Sequence, residues 1–343
     1  MEKQIQNGCK VCVTGGAGYI ASWLINKLLH RGYTVQATLR NLDDDSKVGL
    51  LKSFPGAETR LALFKADIYS PAEFDNAIQG CHYVFHVATP LSHTDPSQYK
   101  NTSEACVAAA KSVAMCCVRS GTVKRLIYTA SVVAASPLKE DGTGFKDLMD
   151  ETCWSTFNFS TPYTNDHLEA YLYSKTMAEK ELLSLGLNGD GGKMEVVTLA
   201  CGLVGGDTVL PYTPLTMALF ISQLTNNETH YKTLKYLEEL LGKVPVVHID
   251  DVCEAHIFCM ETPHSLHGRF LCATSYISSA QIATYYQQNY PQLHVNKKYL
   301  EGPDRTIELD SSKLIEKGFI YKYNTDMILD GCISCATRMG DLI

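Results

Sequence analysis

The stretch Val11-Cys12-Val13-Thr14-Gly15-Gly16-Ala17-Gly18-Tyr19-Ile20-Ala21 decides the fold of this 343-residue chain. Its first residues are apolar and β-forming, and they predict a short buried strand that ends at Thr14. Glycines follow directly, and the residues beyond them have the spacing of an amphipathic helix through about Leu29. A strand that turns on glycines into a helix is typical of a dinucleotide-binding unit.

The glycine turn itself predicts the cofactor contacts. Gly15, Gly18 and Ala21 have the spacing G-x-x-G-x-x-A. The first glycine permits the tight turn, and the second lets backbone amides approach a pyrophosphate at the N-terminus of the helix. We therefore expect Gly15, Gly18, Tyr19 and Ile20 to bind the cofactor.

Strands and helices alternate along the first two thirds of the chain. This alternation predicts an α/β fold, a Rossmann-type doubly wound parallel sheet with a smaller, mixed α/β substrate lobe toward the C-terminus. We expect an NADPH-binding domain over residues 1–204 and a substrate-binding lobe over 205–343, with 244–262 returning to the first domain. Beyond the first strand, the predicted strands are Tyr33 to Leu39, Leu61 to Ala66, Tyr83 to Val87, Arg125 to Thr129, Glu195 to Leu199 and a returning strand at Val246 to Ile249.

In such sheets ligands bind beyond the carboxyl ends of the strands. The second strand ends at Arg40, where an NAD site would carry Asp or Glu, and Lys47 follows seven residues later. Two cations beside a 2′-phosphate favour NADPH/NADP+ as cofactor. After the third strand, Asp67 and Ile68 are predicted to bracket the adenine. Ala88 and Thr89 follow the fourth strand and complete the predicted cofactor site.

Three further residues predict catalysis. Tyr171 and Lys175 lie four residues apart, which places both side chains on one face of a helix. The ammonium favours the phenolate and lowers the pKa of the tyrosine from its usual value toward neutrality, where proton transfer is efficient. Ser131 follows the fifth strand at the same predicted edge. We expect Ser131, Tyr171 and Lys175 to form the catalytic group of a nicotinamide-dependent reductase, with the last two also contacting the cofactor.

Composition excludes several other classes. The net charge is −7 without a basic stripe, so nucleic acid is not an expected partner. The 13 cysteines are scattered through apolar runs, which predicts a reduced, cytoplasmic protein. The sequence contains no run of 18 apolar residues, so a membrane span is not expected. Cys9 and Cys12 have no second pair at zinc spacing, so no metal is expected. We expect a small-molecule substrate and a monomer or weak homodimer.

The same residues resemble the extended short-chain dehydrogenase/reductases, more narrowly the plant dihydroflavonol reductase superfamily. Three runs favour its anthocyanidin-reductase branch: Ala135-Ser136 with Asp141 to Gly144, Ser174 to Lys180, and Asp250 to Phe258. The resemblance implies that Ser131 holds the substrate oxygen, Tyr171 delivers the proton and Lys175 binds the nicotinamide ribose. It also implies that the segment after the sixth strand borders the nicotinamide, with Leu203 in contact with the cofactor.

The chain departs from the family pattern in that segment. Cys201 and Asp207 stand where the family usually has proline. The glycines between them predict a mobile segment that becomes ordered when ligand binds.

Two windows of the sequence predict the substrate class. No Lys or Arg occurs between Lys146 and Lys175, or between Lys193 and Lys232. A phosphorylated substrate would need cations there, whereas the windows are rich in aromatic residues. We expect a neutral aromatic or polycyclic substrate, most naturally a flavonoid, bound by Ser131, Ser136, Tyr163, Tyr171 and Phe220. The alternatives are an alkaloid, isoflavonoid or steroid ketone on the same scaffold, a sugar-nucleotide epimerase, or a cofactor-bound regulator without turnover.

Overall fold

The computed structural model describes residues 8–89, 99–187 and 194–342, and its first half alternates strands with helices. The motif residue Pro90 lies outside the described residues. The elements up to the seventh strand are β1 (Lys10–Val13), α1 (Tyr19–His30), β2 (Thr34–Leu39), α2 (Asp45–Lys52), α3 (Ala57–Arg60), β3 (Leu61–Lys65), α4 (Glu73–Ile78), β4 (Tyr83–His86), α5 (Thr102–Ser120), β5 (Arg125–Ser131), β6 (Leu148–Met149), α6 (Asp166–Leu187) and β7 (Glu195–Cys201).

In the remaining elements, strands and helices no longer alternate regularly. They are β8 (Leu203–Gly205), α7 (Leu215–Phe220), α8 (Ser222–Thr225), α9 (Glu228–Leu241), β9 (Val244–His248), α10 (Ile249–Glu261), β10 (Gly268–Cys272), β11 (Ser275–Ile277), α11 (Ser279–Asn289), β12 (Glu308–Leu309), α12 (Ser312–Glu316) and α13 (Thr325–Met339).

One sheet has seven parallel strands in the order β10-β7-β5-β4-β1-β2-β3. Val13 pairs with Ala37 on one side and with Phe85 on the other, and His86 pairs with Tyr128. This register brings the carboxyl ends of β1, β2, β4 and β5 to one edge of the sheet. The prediction of a Rossmann-type doubly wound sheet is confirmed.

Local sequence explains where the helices of this sheet begin. Asp44 caps α2 by accepting from the backbone amide of Lys47, as expected for the acidic start of a helix. Asn101 caps α5 in the same way, and Asn165 accepts from Leu168 at the start of α6. In contrast, Gly18 precedes α1 and offers no side-chain cap. That helix therefore presents its N-terminal backbone amides without a capping side chain.

A separate three-stranded sheet has the order β11-β9-β8. The predicted strand at Val246 to Ile249 is observed as β9, and it pairs antiparallel with β11 and parallel with β8. It does not join the seven-stranded sheet, and the predicted return of residues 244–262 to the first domain remains a prediction. Its apolar residues specify burial on both faces, but they do not specify which strands lie beside it.

The described residues group into two compact units. One falls within residues 1–130, 173–199 and 253–269, and the other within 131–172, 200–252 and 270–343. The core of the first includes Leu24, Ile25 and Phe85, and that of the second includes Phe220 and Tyr286. The predicted domains, with their boundary at residue 204, remain a prediction.

The 13 cysteines are all buried and none forms a disulfide. Burial raises the pKa of the Cys12 thiol well above its usual value, so this side chain is a core residue rather than a reactive thiolate. Within the described ranges, no cluster of three or more His, Cys, Asp or Glu could hold a metal ion. In the same ranges, no helix combines the length and apolarity needed to cross a membrane.

The segment Cys201 to Gly206 is buried throughout and includes strand β8. A Cβ on Gly202 would lie 2.7 Å from the carbonyl oxygen of Pro245, and one on Gly205 would lie 2.7 Å from Ile328. Gly206 has φ +107°, and a Cβ there would overlap the His248 ring. Close packing therefore accounts for these glycines, where the sequence had predicted mobility. Asp207, in place of the family's proline, forms an ion pair with Arg338 of α13.

We expect Gly206→Ala to lower the free energy of unfolding by about 2–4 kcal/mol, because it adds both backbone strain and a clash. The matched control is Gly142→Ala, which has φ +72° but no atom within 4 Å of its added Cβ. That control should lose only the strain, about 1–2 kcal/mol. Equilibrium unfolding in urea measures both variants, and equal losses would contradict the close-packing explanation.

Candidate active site

The glycine turn after β1 is fixed by contacts with the neighbouring strands. The backbone amide of Gly15 donates to the Thr38 hydroxyl at 3.1 Å, and that of Gly16 donates to the Thr38 carbonyl at 2.8 Å. Gly15 has φ +69°, and a Cβ on it would lie 3.0 Å from the Cα of Ala88. A residue with a side chain would therefore separate the turn from the segment after β4.

The Thr14 hydroxyl connects that turn to the end of β4. It accepts from the backbone amides of Val87 and Ala88, both at 3.0 Å, and lies 3.0 Å from Nδ1 of His86. Because the hydroxyl oxygen accepts twice, its proton is directed to Nδ1, which leaves the imidazole proton on Nε2. Burial, with a smaller effect from Lys175, lowers the pKa of His86 to about 3, so this ring is neutral.

Lys175 lies at the same edge of the sheet and is 4% exposed. Its Nζ donates to the Thr89 hydroxyl at 2.8 Å and to the carbonyl oxygen of Thr129 at 3.0 Å, and it lies 5.2 Å from the centre of the Tyr128 ring. A buried ammonium needs such oxygen partners, because an unpaired buried charge is very costly. Helix α6, the segment after β4 and strand β5 together therefore fix the position of this cation.

A small cavity opens beside this ammonium. Its lining includes His86, Thr89, Tyr128, Ser174 and Lys175. The lining combines one cation, a neutral imidazole and three hydroxyl groups, which is a polar site at the carboxyl edge of a parallel sheet.

Tyr171 lies one helical turn before Lys175 on α6 and is half-buried. Ser131 is the last residue of β5, and its hydroxyl accepts from the backbone amide of Val133 at 3.3 Å. Both residues belong to the second unit and Lys175 to the first. Their predicted joint action remains a prediction.

The predicted 2′-phosphate residues differ in their surroundings. Arg40 is exposed directly after β2. Lys47 of α2 forms an ion pair at 2.7 Å with Asp44, the residue that caps this helix. Arg40 is therefore the stronger candidate to contact a 2′-phosphate.

Asp67 and Ile68 follow β3, as predicted for the residues around the adenine. The carboxylate of Asp67 accepts from the backbone amide of Tyr69 at 3.0 Å, and the Asp67 amide donates to Glu73 at 2.9 Å. Ile68 is buried. Asp67 thus orders the turn before α4, which leaves its role toward a ligand a prediction.

The N-terminus of α1 and Arg40 fit the phosphates of a bound dinucleotide. The N-terminus of α1 has no side-chain cap and no acidic residue in its first turn, so an anion is not excluded there by charge. Tyr19 and Ile20 form that first turn, and both are partly accessible. Arg40 adds a cation at the next strand end.

The predicted substrate residues are less accessible than expected. Ser136 and Phe220 are both 0% exposed. The Ser136 hydroxyl accepts from the Leu138 amide at 3.1 Å and donates at 2.5 Å to the carbonyl oxygen of Leu240. Leu203 is also buried, in β8, whereas Tyr163 is partly exposed. A ligand would reach Ser136 or Phe220 only after the side chains packed around them had moved.

Sequence reasoning missed the roles of Thr14, His86 and Thr129. Thr14 stands in the quoted turn, and a hydroxyl before two glycines is a signal that was available. Thr129 acts through its backbone carbonyl, which no side-chain pattern could reveal. Thr89 was predicted as a cofactor residue, and its described contact is with Lys175.

Comparison with known proteins agrees with this geometry. Residues 11–272 match the model of the NAD dependent epimerase/dehydratase family, which covers more than half of the chain. The chain is 36% identical to a putative anthocyanidin reductase of Ginkgo biloba, over 96% of this chain and 95% of that protein. It is 35% identical to a dihydroflavonol 4-reductase of Callistephus chinensis, over 97% and 87% respectively.

A solved structure extends the likeness to three dimensions. The crystal structure of vestitone reductase from alfalfa (Medicago sativa) superposes with a TM-score of 0.77 at 31% identity, covering 97% of this chain and 99% of that one. The predicted resemblance is therefore confirmed by sequence and by fold. The chain belongs to the NAD dependent epimerase/dehydratase family, within the extended short-chain dehydrogenase/reductases.

Proposed function

We propose that this protein is an NADPH-dependent reductase of a neutral aromatic or polycyclic metabolite, with a flavonoid as the substrate class. The chain is an oxidoreductase of the short-chain dehydrogenase/reductase type. The observation that carries the proposal is the buried Lys175 ammonium, held by Thr89 and Thr129 at the sheet edge that also carries the glycine turn.

Each residue has a distinct role in this reduction. The glycine turn and Arg40 would hold NADPH, which would supply the hydride for the reduction. Tyr171 donates the proton that the reduced substrate requires, and Ser131 hydrogen-bonds the substrate oxygen. Lys175 orients the nicotinamide ribose and favours the phenolate that remains after proton transfer. The neutral His86 adds no competing positive charge beside it.

Two observations support the substrate class. The windows between Lys146 and Lys175 and between Lys193 and Lys232 contain no cation, so a buried phosphate in them would lack a charged partner. The relatives named above are reductases of flavonoid-type compounds by their names. The likeness to vestitone reductase makes an isoflavonoid ketone the second candidate.

All 13 cysteines are buried without a disulfide, which supports a reducing compartment, and we propose the cytoplasm. A monomer or weak homodimer without a nucleic-acid partner remains part of the proposal.

We expect neutral polyphenols to compete for the substrate site, whereas UDP-sugars and coenzyme-A thioesters do not. The measurement is inhibition of NADPH oxidation, followed by absorbance, by each class at equal concentration. Micromolar inhibition by a phosphorylated class, with none by neutral compounds, would overturn the substrate proposal and favour an epimerase.

We expect Tyr171→Phe to lower kcat by about 10²–10⁴-fold, because the proton donor is lost. NADPH affinity should stay within a few-fold, whereas Lys175→Ala should lose both rate and cofactor binding. The matched control is Tyr173→Phe, since Tyr173 lies on the same helix and is 42% exposed. A Tyr171→Phe enzyme with more than half the wild-type kcat would refute the assignment.

We expect Arg40→Ala to weaken NADPH binding by about 10–150-fold and to leave NADH nearly unchanged, because only NADPH carries the 2′-phosphate. Fluorescence titration of both cofactors measures this. Lys52→Ala, an exposed lysine of α2, is the control. An equal loss for both cofactors would make Arg40 a structural residue.

A further inference from the structure

A buried ion pair lies one helical turn beyond Lys175. Glu179 of α6 is 0% exposed, and Arg269 of β10 is 5% exposed. Arg269 contacts both carboxylate oxygens, through Nε at 3.1 Å and Nη2 at 3.2 Å, and the Thr198 hydroxyl of β7 donates to the same carboxylate at 2.7 Å. The carboxylate is therefore held by three hydrogen bonds from two strands.

Stability alone does not account for this pair. Replacing a buried ion pair with apolar residues of similar volume is often neutral or stabilising, because both charges must be desolvated. Burial accordingly raises the pKa of Glu179, and the guanidinium of Arg269 opposes that effect. A bidentate pair also fixes the relative orientation of its two side chains. The planar guanidinium can donate both hydrogen bonds only to a carboxylate in a narrow range of positions.

The position of Lys175 depends on contacts, other than its own, that fix the orientation of α6. Its ammonium sits on a flexible four-carbon side chain, so its bonds to Thr89 and Thr129 cannot by themselves fix the rotation of α6. Glu179 follows it by four residues, on the same face of the helix and about 6 Å along the axis. Tyr171 lies four residues before Lys175 on that face.

We propose that Glu179 and Arg269 are positioning residues of the active site, which fix the rotation and height of α6 against β7 and β10 and so hold Lys175 in place for the cofactor and for Tyr171. This inference rests on the proposed function. It concerns geometry, and neither residue is proposed to touch the substrate.

The test compares two buried or half-buried arginine–glutamate pairs of the same sheet. Arg125 donates from Nε at 2.7 Å and from Nη2 at 2.5 Å to one carboxylate oxygen of Glu195, at the starts of β5 and β7, the end of the sheet away from Lys175. Glu195→Gln is therefore the control for a lost ion pair. The test variants are Glu179→Gln, Arg269→Lys and the double variant Glu179→Met with Arg269→Met, which removes both charges and keeps the volume.

We expect the double variant to unfold within a few degrees of wild type and to lose at least tenfold in kcat, with substrate KM within threefold. Its NADPH Kd, measured by fluorescence without turnover, should rise at least fivefold. Arg269→Lys keeps the charge without the planar fork and should lose kcat to an intermediate extent. Glu195→Gln should lower Tm while leaving kcat and NADPH Kd unchanged.

The outcomes separate this inference from the proposed function. A folded double variant with wild-type kcat and NADPH Kd overturns the positioning role, as does an equal loss of kcat in Glu195→Gln. If wild type binds NADPH but reduces no neutral aromatic compound, the substrate proposal fails and the NADPH Kd values still decide the positioning role. If wild type binds no NADPH, both proposals are overturned.

Discussion

The Thr14 hydroxyl holds the end of β4 against the glycine turn, and the geometry of the cofactor edge depends on this one group. It accepts from two successive backbone amides, Val87 and Ala88, and directs its own proton to His86. A hydroxyl at this place can both accept and donate, which no apolar side chain could replace. The contact also explains Gly15, because a Cβ there would lie 3.0 Å from Ala88 and separate the two segments. Thr89, the next residue, can then accept from Lys175.

Lys175 shows how a charge is retained inside a protein. It is nearly inaccessible, yet oxygens of Thr89 and Thr129 partner its ammonium, and the adjacent histidine stays neutral. Desolvation is thereby offset by fixed dipoles that are already in place before any ligand arrives. These oxygens are positioned when the protein folds, so the surroundings of the ammonium need little rearrangement when a ligand binds. In the proposed role, Glu179 and Arg269 likewise fix the position of α6, the helix that carries Lys175.

The second unit shows that sequence departures from a family can be compensated by packing. Asp207 replaces the family's proline, and its carboxylate is paired with Arg338, which also donates to the Thr208 carbonyl at 3.3 Å. Gly206 donates its amide to the Cys332 sulfur at 3.3 Å, and Gly331 of α13 lies close enough that a Cβ would meet the Gly206 backbone at 2.9 Å. Contacts with helix α13 therefore restrict the backbone at Gly206 and Asp207.

The sequence alone determined the alternation of strands and helices, the glycine turn and the edge at which Arg40, Ala88, Thr89 and Ser131 would fall. These features follow from the spacing of apolar residues and from the backbone φ angles that a turn requires. Both depend on residues that are close together in the sequence. Only the tertiary structure decided the partners of β9, the burial of Ser136 and Phe220, and the pairing of Glu179 with Arg269, 90 residues away. Such contacts join residues distant in sequence, and their free energy depends on burial and orientation. A single sequence does not encode either quantity in any local pattern.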